Sequence, residues 1–121
     1  MTTTTSFGNK FLEAHLTSIA AGKIDEMVDR DYAENAVLIT FFNGFQTPAP
    51  LTIKGREAIK KFFHEYLNLI GTINVKSLNL TETEDTIFFQ ATFTCNLGLV
   101  TVGDAWTIQN SQIVYHFGFW A

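Results

Sequence analysis

Apolar and polar positions alternate strictly near the end of this chain. Val100, Val102, Asp104, Trp106 and Ile108 share one face of a strand, and Thr101, Gly103, Ala105 and Thr107 share the other, because strand side chains repeat every two residues. Earlier segments have helical spacing instead. Phe11, Leu12, His15, Leu16, Ile19 and Ala20 predict a helix from about Phe7 to Ala21, ended by Gly22. Ile24, Met27, Val28 and Tyr32 mark a second helix from Ile24 to Asp31, with Asp25 and Glu26 suited to its first turn. Ile59, Phe62, Phe63, Tyr66, Leu67 and Ile70 form the apolar stripe of a third, from Arg56 to Ile70, between Gly55 and Gly71.

The remaining elements read as strands. Ala36 to Phe42 is β-branched and apolar, Asn43-Gly44 signals a tight turn, and Leu51 to Ile53 resumes the strand after Thr47-Pro48-Ala49-Pro50. Four strands follow, at about Ile73 to Thr83, Thr86 to Asn96, Leu99 to Gln109 and Ser111 to Ala121. The order helix, helix, hairpin, helix, then a four-strand meander predicts an α+β fold. A length of 121 residues suits a single domain spanning the chain, with residues 1–6 as a flexible tail.

Composition narrows the function. Hydrophobic residues make up 46% and charged residues 17%, which excludes disorder. Twelve Phe, three Tyr and two Trp supply a large aromatic core and the walls of an apolar pocket. A net charge of −4, with Lys60-Lys61 as the longest basic run, argues against nucleic acid. No apolar run reaches membrane-spanning length and no secretory leader is visible, so the expected setting is the cytoplasm. A lone Cys95 excludes an internal disulfide and reads as a buried small hydrophobe. The three histidines lack metal-ligand spacing, so neither metal nor cofactor is expected.

Asp104 is the anomaly: an acid in the middle of an apolar strand face needs a partner or a cavity. His116 is its natural partner across the last hairpin, whose turn at Gln109 to Gln112 leaves the register open. A three-residue loop sets Asp104 opposite His116; a two-residue loop sets it opposite Phe117. His15 borders the apolar stripe of the first helix, and His64 lies off that of the third. Tyr32, Phe42, Phe63, Tyr66, Trp106 and Trp120 are candidates for the cavity wall.

Element order and local patterns resemble the nuclear transport factor two-like superfamily, in its SnoaL-like and ketosteroid isomerase-like branch. The matching stretches are Ala21 to Asp25, Tyr32 to Leu38, Gly55 to Phe63, and Val102 to Trp106 through Phe119-Trp120. The resemblance implies a cystatin-like cone, with three N-terminal helices packed on a strongly curved, mainly antiparallel sheet around a cavity. It implies a small hydrophobic ligand and a homodimer formed through the sheet. It sets Asp104 at the oxyanion-hole acid, Trp120 at a pocket tryptophan, His15 at the oxyanion tyrosine and Thr40 at the aspartate base. It favours Asp104 and Trp120 on one face, hence the three-residue loop. A threonine has no pKa suited to taking a proton at neutral pH, so steroid isomerisation by the usual route does not carry over. The expected function is binding of a small molecule, with cofactor-free acid/base chemistry at Asp104, His15 and His116; the alternative is a non-catalytic binding or dimerising module.

Overall fold

A computed structural model describes residues 6–42, 44, 45 and 49–120. Residues 1–5 of the expected tail, Asn43 of the expected turn, Thr47-Pro48 and the last residue lie outside them, and Ser6, expected in the tail, belongs instead to the start of the first helix. Three helices, α1 (Phe7–Ala20), α2 (Ile24–Asp31) and α3 (Arg56–Ile70), pack on a six-stranded sheet. The strands are β1 (Tyr32–Thr40), β2 (Leu51–Lys54), β3 (Asn74–Glu82), β4 (Thr86–Cys95), β5 (Gly98–Gln109) and β6 (Gln112–Trp120). The fold is α+β, as the element order predicts.

Local chemistry sets the ends of the helices. The Ser6 side chain accepts from Asn9 N–H at 3.1 Å and caps α1. Gly22 and Gly71 sit at φ of +74° and +71°, the region open to glycine, and stop α1 and α3. From the far edge of the sheet, Glu82 accepts from Gly8 N–H at 3.0 Å and ties α1 to β3.

The sheet order is β2-β1-β6-β5-β4-β3. All neighbours are antiparallel except β1 and β6, which run parallel. This parallel pair lies between segments some eighty residues apart, where no turn could announce it. β1 also begins at Tyr32, four residues before the apolar run that marks it in the sequence.

The last hairpin corrects the expected register. Asn110 and Ser111 both take positive φ, 51° and 62°, as a two-residue primed turn requires. Gln109 then faces Gln112 and Ile108 faces Ile113, after which the register shifts between Thr107 and Ile108. From there Trp106 faces His116 and Asp104 faces Gly118. Asp104 is thus opposite neither His116 nor Phe117. One extra residue on β6, a β-bulge, overrides the turn.

The inner face carries the core. Ile87, Phe89, Ala91 and Phe93 of β4, Val100 and Trp106 of β5, and Leu38 of β1 are buried under Leu12, Met27, Val28, Ile59, Phe62 and Phe63 of the helices. Cys95 is half-buried rather than buried. His64 is exposed, as its place off the stripe suggests, and pairs with Asp25 at 2.8 Å.

Candidate functional site

Between the helices and the inner sheet face lies a cavity of about 120 Å³. His15 of α1, Phe63 and Tyr66 of α3, Thr40 of β1, Asp104 and Trp106 of β5, and His116 and Trp120 of β6 line it, together with Phe42 just past β1. Most of the wall is aromatic or aliphatic. Phe42, Tyr66 and Trp120 form an edge-to-face corner, with ring centroids 4.7 to 5.8 Å apart and interplanar angles of 76° to 88°.

Tyr32 differs from the other candidates. It is fully buried but absent from the wall. Its hydroxyl lies 2.8 Å from His116 Nδ1, so it reaches the cavity only through that imidazole. The parallel pairing of β1 with β6 brings these residues, 84 apart in sequence, into contact.

His116 Nε2 is in turn 2.6 Å from Asp104 Oδ1. The two residues lie diagonally across β5 and β6 on one face, and Gly118, facing Asp104, has no side chain to separate them. One allocation of protons satisfies all three groups: Tyr32 O–H donates to Nδ1, and Nε2–H donates to the carboxylate. Burial, followed by the nearby Asp104 and Asp31 charges, pushes the Tyr32 hydroxyl well up, which keeps that donor protonated. The Asp104 side chain is 16% exposed and His116 6%. This chain of contacts ends in a carboxylate at the cavity.

A second chain ends in an imidazole. His15 Nδ1 is 3.1 Å from Asp31 Oδ2. Arg30 grips the same carboxylate twice, Nε to Oδ1 at 2.7 Å and Nη2 to Oδ2 at 2.9 Å. Burial pushes the Asp31 carboxyl up, but hydrogen bonds from His15 and Arg30 outweigh it and hold the group below its usual range. Burial dominates at His15 and, against Asp31, lowers the imidazole below its usual value. His15 is therefore neutral at pH 7, with Nδ1–H on Asp31 and an unprotonated Nε2 that has no partner among the described residues.

Sequence reasoning missed Asp31. The signal was present: Ile24, Met27, Val28 and Asp31 follow helical spacing and are all buried, so Asp31 occupies a core position of α2. Asp31 and Tyr32 are consecutive at the junction of α2 and β1, and each backs a different histidine. The indole Nε1–H of Trp106 is buried without a partner among the described residues. No group of three or more His, Cys, Asp or Glu side chains among the described residues could hold a metal ion. Nor is any described helix long and apolar enough to cross a membrane.

Solved structures share this architecture. An NTF2-like protein from Anabaena variabilis is 20% identical with a TM-score of 0.75, covering 100% of this chain and 95% of its own. A candidate isomerase of the SnoaL-like family from Agrobacterium tumefaciens is 10% identical with a TM-score of 0.76, covering 97% and 99%. A protein with a ketosteroid isomerase-like fold from Catenulispora acidiphila, solved with trimethylamine, is 11% identical with a TM-score of 0.73, covering 89% and 82%. At such identities the likeness is one of fold. Comparison with curated proteins gives no match. The SnoaL-like domain profile, however, matches residues 12–117. The shared architecture and a profile match over most of the chain's length lead to one conclusion: this chain belongs to the SnoaL-like domain family.

Proposed function

We propose that this protein binds a small, largely apolar molecule in the cavity and acts on it by cofactor-free acid/base chemistry. The observation that carries this reading is convergence: two separate histidine–carboxylate pairs reach one otherwise apolar cavity. A volume of about 120 Å³ suits a molecule the size of a single ring or smaller, since a dry cavity of about 150 Å³ holds benzene. The trimethylamine held by the Catenulispora relative is in that range.

The division of labour follows from the two ends. His15 Nε2 takes a proton from the substrate, and the imidazolium formed sits against the ionised Asp31. Asp104 faces the cavity as the second proton-handling group, held in place by His116 and Tyr32. Phe42, Phe63, Tyr66, Trp106 and Trp120 supply apolar contact. Such positioned bases contribute about 10² to 10⁴ in rate. Isomerisation, dehydration, cyclisation and hydrolysis all need this equipment.

The test is proton exchange at the α-carbon of a small ketone such as cyclohexanone in D₂O, followed by NMR. Acceleration by the protein, lost in His15→Asn, supports the reading. Binding without acceleration in any enolisable ketone, and without turnover of small epoxides or alcohols, favours the non-catalytic alternative. Thr40, where the resemblance expects a carboxylate base, speaks for that alternative.

The outer sheet face adds a partner. Phe88, Tyr115, Phe117 and Phe119 are exposed there, around the small Thr101, Gly103, Ala105 and Thr107, and none of these residues is charged. A contiguous apolar patch of this kind marks an interaction surface. A second copy of the chain, packed sheet to sheet, is the proposed occupant. Sedimentation at micromolar concentration checks it: a dimer that Phe117→Asp dissociates is expected, and a wild-type monomer overturns it.

A further inference from the structure

The strand register aligns three residues in one row across the sheet. Thr40 of β1 faces Gly118 of β6, which faces Asp104 of β5. All three belong to the cavity wall. The middle position has no side chain, so the two polar ones flank bare backbone. A Cβ placed on Gly118 would lie 3.0 Å from Asp104 Oδ1, 3.8 Å from Thr40 Oγ1 and 3.9 Å from His116 Nε2. The Asp104 carboxylate thus leans close over Gly118, and three polar atoms gather beside it in a wall that is otherwise mainly apolar.

Their hydrogen-bonding capacity is complementary. Thr40 Oγ1 accepts from Phe42 N–H at 3.1 Å, and its own hydrogen has no acceptor among the described residues. Thr40 is 5% exposed, so that hydrogen is turned away from bulk water. Asp104 Oδ1 receives His116 Nε2–H, and a carboxylate oxygen accepts more than one hydrogen bond. Thr40 thus offers one donor and Asp104 one acceptor on the two sides of Gly118.

We infer that Gly118 marks the specificity-determining subsite of the cavity, and that it takes a hydroxyl of the ligand, which accepts from Thr40 and donates to Asp104. The ligand class is then a ring-sized molecule that carries a hydroxyl, with its apolar body against the aromatic corner of Phe42, Tyr66 and Trp120. At this subsite a carbonyl oxygen fits worse than a hydroxyl, because it can only accept and would meet the carboxylate oxygen. This inference rests on the proposed binding role of the cavity.

Three single-ring probes of similar size separate the possibilities: phenol, toluene and benzaldehyde, titrated into the wild-type protein by NMR or calorimetry. An apolar cavity without a polar subsite rejects phenol in favour of toluene, because an unpaired buried hydroxyl is costly. Here phenol is expected to bind at least as tightly as toluene and more tightly than benzaldehyde. Thr40→Val and Gly118→Ala should each weaken phenol about tenfold or more, the cost of one good hydrogen bond. In Thr40→Val, toluene should stay within about twofold of wild type, because the shape of the wall is kept. Toluene or benzaldehyde binding more tightly than phenol overturns the hydroxyl subsite alone. Failure of all three to bind overturns the cavity reading, and the subsite with it.

Discussion

The two histidines of the cavity have the same kind of partner and opposite electrostatic settings. His15 is backed by Asp31, and Asp31 by Arg30, whose side chain is 48% exposed. A buried carboxylate is thus neutralised by a cation that keeps contact with water. His116 is backed by Tyr32, which is neutral, and its carboxylate partner Asp104 lies on the cavity side. In the first chain the charge is behind and the imidazole in front. In the second the imidazole is behind and the carboxylate in front. Under the proposed function, the group in front exchanges protons with the ligand, and the group behind sets its tautomer and orientation. Identical residue types therefore put an imidazole in front in one chain and a carboxylate in front in the other, and under the proposed function a single site then has proton-handling groups at two positions.

Removing the rear carboxylate should produce the largest change. Asp31→Ala strips the buried His15 Nδ1–H of its acceptor and releases Arg30. A loss of about 3 kcal/mol is expected, as for other broken buried pairs. Urea unfolding measures it, and a loss under about 1 kcal/mol would mean that the Arg30–Asp31–His15 chain is not a structural unit.

Asp104→Asn should invert that balance. The front carboxylate is partly exposed, and an amide keeps its shape, so stability should fall by about 1 kcal/mol or less. Ketone proton exchange should fall about 100-fold, the usual order for a lost positioned acid or base. Equal losses in both variants would remove the distinction between front and rear groups.

Acid should act on the first chain in two stages. The folded pKa of His15 lies below its ordinary 6.5. The stability it contributes is therefore complete above 6.5 and is lost as pH falls through the folded value. Asp31 lies below its ordinary 3.8, so its contribution holds down to about that pH and is lost below it. The first stage should approach about 1.4 kcal/mol per pH unit at its steepest. His15→Gln should flatten the stability profile below pH 6.5 and leave the lower stage; an unchanged slope would show that His15 is not the neutral partner.

Tyr32→Phe should give the smallest effect. The ring still fills its site and one hydrogen bond disappears, costing about 1 kcal/mol. Its signature is elsewhere: the His116 ring resonances should shift, since Nδ1 loses its donor, while those of His15 stay in place. Movement of both rings would mean that the two chains are coupled through the Asp31–Tyr32 junction.

Part of this site was readable from local pattern. Alternation along β5 put Asp104 and Trp106 on the core face, and helical spacing put His15 at the edge of the α1 stripe. Asp31 was readable in principle as an acid at a core position of α2, but its partner lies 16 residues away on another helix. The hairpin register was misjudged because the turn type is local to Asn110-Ser111, whereas the bulge that corrects it answers to packing further along β6.

The amino-acid sequence alone determined the element types, their order and which face of each is apolar. These follow from periodicity and turn chemistry, which act over a few residues. Only the tertiary structure decided who stands behind each histidine and which polar groups flank Gly118. The Tyr32–His116 contact and the row through Gly118 depend on β1 lying parallel beside β6, and the Asp31–His15 contact depends on α1 packing against α2; both bring together segments that no local pattern connects.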